Sequence, residues 1–278
     1  MNITINLFNK IFISDYIHLK KKNFIYKLIN FFLYKLINQY KFFFIPCGLK
    51  KIPKINYPIT SNYQTQVNLI KTFNKNYKQN SFMTYPKLLS LMGRHFNKNE
   101  NFNFLDFGGE NIDCFFALKK RFKNINYFII NQKKYNNIFR KIKSEYFLEK
   151  LYILEYKDLN KFNYDFINLG SVLQYINNYD AILKYILNFS KKFILISAAH
   201  FYKSKKIKGK FIVKQINMLP NKMYCYFFEI DSFCKIFKNN FKIIFNKKNI
   251  TAQINYSNFT KDFNNIKYSD LLIKRLTI

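Results

Sequence analysis

Between Asn103 and Leu118 the chain reads NFLDFGGENIDCFFAL: an apolar run ends in Asp106, passes through Gly108 and Gly109, and continues into a helical pattern. Glycine has no Cβ, so such a loop lets the backbone pass close to a nucleoside-type ligand at the carboxyl end of a first strand, where open α/β sheets bind ligands. A dinucleotide phosphate loop would read Gly-x-Gly-x-x-Gly, whereas Gly109 is followed by Glu110, Asn111 and Ile112 with no third glycine. An acidic Glu110 beside the loop disfavours a pyrophosphate and suits a cationic ligand without phosphate. The alternative is a tight turn with a solvent-facing Glu110.

A second candidate is His200, directly after the apolar run FILISAA. Its unperturbed pKa lies near neutrality, which fits a general base; the alternative is a packed or surface histidine. Cys47, Cys114, Cys225 and Cys234 are scattered without a Cys-x-x-Cys, and the chain has three histidines. Neither a metal site nor a disulfide framework is expected, and Cys225 within MYCYFF reads as a buried structural thiol.

The elements that must hold these residues alternate. Residues 102 to 107 read as a short buried strand, 113 to 122 as a helix, 126 to 131 as a strand and 134 to 145 as a helix. Residues 151 to 156 and 165 to 169 read as strands, 179 to 190 as a helix and 192 to 197 as a fifth strand. This alternation predicts right-handed βαβ units and a Rossmann-like, doubly wound, mostly parallel α/β sheet over residues 102 to 200. Two helices, 63 to 73 and 86 to 96, lead into it, with Pro86 in a first turn where its missing N–H costs nothing. Beyond the core, 211 to 215, 224 to 228, 241 to 246 and 270 to 276 predict strands, and 231 to 237 a helix capped by Asp231.

Residues 46 to 58, with Pro46, Gly48, Pro53 and Pro58, read as a linker. The expected organisation is an N-terminal helical extension and linker over residues 1 to 58, then one α/β domain over 59 to 278. Within the extension, residues 24 to 45 are strongly apolar, but Lys27, Lys35 and Lys41 interrupt them too often for an uncharged span of about 20 residues. The spacing of Phe24, Leu28, Phe31 and Phe32 predicts a basic amphipathic helix, either docked on the domain or lying on an anionic membrane surface. Residues 1 to 10 lack a signal-peptide pattern, so a cytoplasmic protein, with or without peripheral membrane contact, is expected.

A composition of 49% hydrophobic and 20% aromatic residues excludes the disordered class. The formal net charge of +32 points towards nucleic acid, yet only four of the 47 basic residues are Arg. Lys, Asn, Ile, Phe and Tyr share A/T-rich codons, so the charge reads as drift in base composition. A dedicated nucleic-acid binder would use more Arg for bidentate contacts, and no specific nucleic-acid partner is expected.

Three motifs in order carry a family resemblance: Leu105-Asp106-Phe107-Gly108-Gly109, DFINLGSVLQYINNYDAILKYI at residues 165 to 186, and VKQINMLPNKMYCYFF at residues 213 to 228. On these the chain resembles a family of class I S-adenosyl-L-methionine-dependent methyltransferases found among bacterial surface-polysaccharide biosynthesis genes. The resemblance implies the class I methyltransferase fold, S-adenosyl-L-methionine as cofactor, and a small-molecule or glycan acceptor. It places Asp106, Gly108 and Gly109 at the methionine end of the cofactor, with Glu110 beside them as a further cofactor-binding candidate on its charge, and Gly170, Ser171 and Gln174 facing its reactive side. Asp158 falls where related enzymes present a carboxylate to the adenine amino group, or else serves a local cap or loop.

The chain also departs from the pattern. Asn131 stands where the family has an acid for the ribose hydroxyls, and an amide accepts through one oxygen without charge. Ser197-Ala198-Ala199-His200 replaces an Asp-Arg pair, and the first loop lacks a glycine. Two readings follow: a methyltransferase, in which a well-positioned nucleophile needs no base, or a non-catalytic Rossmann-fold binding or scaffold protein.

Overall fold

The computed structural model describes residues 43–47, 59–204, 208–218, 221–237, 240–249 and 266–276. In chain order these form β1 (Phe43–Cys47), α1 (Ile59–Gln79), α2 (Pro86–Met92), β2 (Phe102–Phe107), α3 (Asp113–Arg121), β3 (Ile125–Ile130), α4 (Lys133–Glu145) and β4 (Leu151–Leu154). There follow β5 (Tyr164–Gly170), α5 (Tyr179–Leu187), β6 (Ser190–Tyr202), β7 (Lys210–Met218), β8 (Asn221–Glu229), α6 (Ile230–Cys234), β9 (Phe241–Lys248) and β10 (Lys267–Arg275). Short 3₁₀ turns occupy Tyr156–Lys161, Leu173–Tyr175 and Lys235–Phe237.

Strands β4, β3, β2, β5 and β6 pair in parallel in that spatial order, and β10 joins β6 antiparallel with β9 beyond it. The chain therefore moves outward from β2 on one side and returns through β5 on the other. The boundary between β2 and β5 is the topological switch point, where a crevice opens at the carboxyl ends of the strands. The expected Rossmann-like, mostly parallel sheet is present.

Alternation along the strands divides the core between two faces. Leu105, Phe107, Ile167, Leu169, Ile194 and Ile196 pack with Leu183 and Ile186 of α5. Phe104, Ile129, Phe166 and Leu195 pack on the other side with Phe115 and Leu118 of α3, Phe139 of α4 and Leu91 of α2. Helices on both faces make the strands apolar at successive positions. Phe166 is wholly buried, and truncating such a ring to alanine costs roughly 3 to 5 kcal/mol.

Several boundaries differ from expectation. Residues 43 to 47, assigned to helix and linker, form β1 and pair antiparallel with β7, so this part of the extension belongs to the sheet; Pro46 is tolerated because the strand lies at an edge. The rest of the expected helix at 24 to 45, and most of the linker, lie outside the described residues. Strand β6 continues past Ser197 to Tyr202 through Ala198, which adopts φ +58° opposite an irregularity between Ser269 and Leu271 of β10. Helix α6 is capped by Glu229, whose carboxylate accepts from the amides of Asp231 and Ser232, and not by Asp231. Helix α2 stops at Met92. Among the described residues no helix is long and apolar enough to cross a membrane, and no group of three His, Cys, Asp or Glu could hold a metal ion.

Candidate ligand cleft

A cleft of about 880 Å³ opens over the switch point. Asp106, the penultimate residue of β2, lies at its floor, beside Asn168 of β5 and Ile129 of β3 in the sheet register. The residue is only 5% exposed. One oxygen accepts from the Tyr127 hydroxyl at 2.5 Å and the other from Asn168 Nδ2 at 2.9 Å. Burial pushes the Asp106 pKa up from the ordinary carboxylate value, while these two hydrogen bonds pull it back.

Of the two glycines above it, Gly109 serves Asp106 directly. Gly108 has φ +83°, a left-handed conformation, and a Cβ there would lie 2.5 Å from Val172 Cγ2. At Gly109 a Cβ would meet the Asp106 carboxylate at 2.5 Å and Ile129 Cδ1 at 2.9 Å. The sequence motif suggests room for a ligand; Gly109 makes room for the carboxylate. Glu110 follows at the rim, exposed.

Asn131, at the end of β3, closes this loop. Its Nδ2 donates to the Gly109 carbonyl at 2.7 Å, and its Oδ1 accepts from the Gln132 amide at 2.7 Å. Both functions of the amide are thus engaged by backbone.

On the other side, Gly170 ends β5 opposite Ser197, and Ser171 turns left-handed at φ +52°. Gln174, 1% exposed, donates from Nε2 to Ser171 Oγ at 2.9 Å and to the Ala198 carbonyl at 3.1 Å. Ser171 and Ala198 are both non-glycine residues in a conformation that costs roughly 1 to 2 kcal/mol each, and one glutamine bridges them. Next to it, the Tyr175 hydroxyl donates to Gln215 Oε1 of β7 at 3.1 Å.

His200 also lines the cleft, but its surroundings do not suit a general base. It is 2% exposed, stacked on Phe227 at 4.3 Å and tilted against Tyr268 at 4.8 Å. Burial lowers its pKa to about 3, which removes the near-neutral basicity on which the expectation rested. Asp158 does not reach the cleft. Its carboxylate accepts from the Glu155 amide at 3.2 Å in a reciprocal cap and pairs with Lys161 at 2.7 Å; the local alternative describes it.

Asp106, Gly108, Gly109, Glu110, Asn131, Gly170, Ser171 and Gln174 line this one cleft. The sequence reading missed Tyr85, Lys87, Gln215, Asn249, Tyr268 and Asp270, which complete the walls. The segment before α2 is laid across the glycine loop: the Met83 amide donates to Asp113 at 3.1 Å and Tyr85 reaches Asn111 at 3.4 Å. Burial raises the Tyr85 phenol pKa, so it stays protonated. The charged lining comprises three carboxylates, Asp106, Glu110 and Asp270, and one ammonium, Lys87.

Among solved structures, the chain is similar to the N-terminal domain of EvdMO1 with SAH bound, at 10% identity over 70% of this chain and 83% of that one, TM-score 0.47. It is similar to an S-adenosylmethionine-dependent methyltransferase from Clostridium acetobutylicum ATCC 824, at 11% identity over 75% and 98%, TM-score 0.46. A third is the glycopeptide N-methyltransferase MtfA complexed with (S)-adenosyl-L-homocysteine, at 8% identity over 68% and 87%, TM-score 0.45. Identities this low assign no activity. No protein-family model and no curated protein matches the chain.

Proposed function

We propose that the cleft binds S-adenosyl-L-methionine and that the protein methylates a hydroxyl-bearing small molecule, a sugar or surface-glycan precursor. The observation that carries the cofactor is a reversal of charge. In a chain of formal net charge +32, the cleft lining holds three carboxylates against one ammonium; with Lys87 paired to Asp270, the two that flank the glycine loop are Asp106 and Glu110. A sulfonium bearing an amino-acid ammonium is attracted there and a pyrophosphate is repelled.

The residues present fit that ligand. Asp106 keeps unused lone pairs on both oxygens for an ammonium, and the bare backbone of Gly108 and Gly109 leaves the approach open. Gly170 and Ser171 form the opposite lip. When bound, the cofactor would supply an electrophilic methyl carbon on a sulfonium, with the neutral thioether as leaving group and the acceptor proton passing to solvent. Beyond that lip are the uncharged hydrogen-bonding groups Gln174, Tyr175, Gln215 and Tyr268, beside the mutually paired Lys87 and Asp270. Such a wall suits a neutral, hydroxyl-rich acceptor. With His200 held neutral and weakly basic, orientation of the acceptor is what these residues contribute.

Asn131 favours a second reading, a binding or scaffold protein without catalysis, because its amide is engaged by Gly109 and Gln132. Calorimetric titration with S-adenosyl-L-methionine and S-adenosylhomocysteine separates the two. Binding is expected, and Asp106→Asn should weaken it about tenfold or more, the worth of a charge-assisted contact. Transfer of labelled methyl groups to a panel of nucleotide sugars then tests the acceptor. No binding at millimolar ligand would make the scaffold reading the better account.

A further inference from the structure

A second concavity, about 790 Å³, lies on the other side of the Met83–Thr84 segment that walls the cleft, and its character is opposite. Lys98, Lys120, Arg121 and Lys123 line it with no acidic residue among them. None of the four forms an ion pair among the described residues. Lys120 and Arg121 close α3, where cations complement a helix C-terminus. Lys98 and Lys123 come from outside the helix and are joined through the Lys123 amide donating to the Lys98 carbonyl at 3.1 Å.

The end of the exposed Arg121 side chain lies against Gly93. The Gly93 backbone is right-handed helical, at φ −64° and ψ −12°, which any residue adopts. A Cβ there would lie 2.3 Å from Arg121 Nη2 and 2.9 Å from its Cζ. The missing side chain is therefore what lets the guanidinium lie against the backbone at this position. Arg121 is one of four Arg in a chain of 47 basic residues, and a guanidinium fork matches a phosphoryl group bidentately where an ammonium cannot. The remaining wall is apolar at Phe82, Met83, Leu89 and Ala117 and polar at Thr84 and Asn99.

We infer that this concavity is a binding site for a phosphorylated small molecule, its phosphoryl group held by Arg121 and the three lysines and its apolar body against Phe82 and Leu89. The site is separate from the cleft and independent of what the cleft binds. Calorimetric titration of the full chain with phenyl phosphate and with inorganic phosphate tests it. Burial of the ring should make phenyl phosphate bind about tenfold tighter. Arg121→Gln with Lys123→Gln should weaken phenyl phosphate about tenfold or more. A control of equal charge change, Lys141→Gln with Lys184→Gln, alters exposed lysines on α4 and α5 and should have less than about a twofold effect. Equal weakening by control and site variants, equal affinity for the two phosphates, or no binding to the unmodified protein would each overturn the proposal.

Discussion

The ammonium of Lys87 on α2 is bound to the carboxylate of Asp270 on β10, a pair 183 positions apart that draws the segment before α2 onto the cleft. The partners are unequal: the Lys87 side chain is 41% exposed and that of Asp270 1%. Asp270 also accepts from the Ala198 amide at 2.8 Å and from Asn249 Nδ2 at 2.9 Å. Lys87→Met leaves those two donors in place and should cost about 1 to 2 kcal/mol, since the exposed partner is partly screened. Asp270→Ala strands the Ala198 amide at its left-handed bend and should cost roughly 3 to 5 kcal/mol. Urea unfolding measures both, and the reverse order would mean that Asp270 does not hold the β6 bulge.

Acid sensitivity follows from His200. Its folded pKa is about 3 against 6.5 for the free side chain, so between those values the unfolded chain binds the extra proton. Stability from this group is complete above pH 6.5 and is lost as pH falls through the window, at up to about 1.4 kcal/mol per pH unit. Asp106, with a raised pKa, acts in the opposite sense, so the comparison must be made against His200→Phe. Thermal midpoints of the variant should fall less steeply than those of the unmodified protein between about pH 6 and pH 4. Parallel curves would remove His200 as the cause.

Gly109 offers a test of why the loop is bare. Gly109→Ala places a methyl on the Asp106 carboxylate and Ile129, and overpacking of this kind typically costs about 1 to 3 kcal/mol. If the carboxylate is the obstacle, the same change in an Asp106→Ala background should cost less. A double-mutant cycle reads that coupling directly; additive effects would return the glycine to a role towards ligand.

The parallel strands were legible because burial on both faces leaves uninterrupted apolar runs such as FNFLDF and INYFII. β1 was not, because Pro46 is a local turn signal and only the pairing with β7 makes those residues a strand. The far end of β6 was hidden for a similar reason: Ala198 bends the strand, and the acceptor that holds its amide comes from β10. In the cleft, the glycine loop and the Gly170-Ser171 turn are contiguous motifs visible on their own. Lys87, Asn249 and Tyr268 arrive from distant segments and carry no local mark. Asp270 did carry one, as a lone acid inside the strand KYSDLLIKR.

Asn131 is where sequence and structure give opposite expectations for one substitution. By the family pattern, Asn131→Asp restores a ribose carboxylate and should raise cofactor affinity. In the structure the group that would change is a donor, Nδ2, 2.7 Å from the Gly109 carbonyl. Aspartate would set a carboxylate oxygen against that carbonyl, two acceptors with no proton between them. The expected outcome is a loss of about 1 to 3 kcal/mol at neutral pH, partly recovered on acidification as the new carboxyl takes up a proton, with no gain in affinity for S-adenosyl-L-methionine. Thermal melts at two pH values and calorimetry on the same samples decide it. A tighter cofactor with an unchanged melt would show that the side chain swings free of Gly109 and that the position retains a role towards ligand.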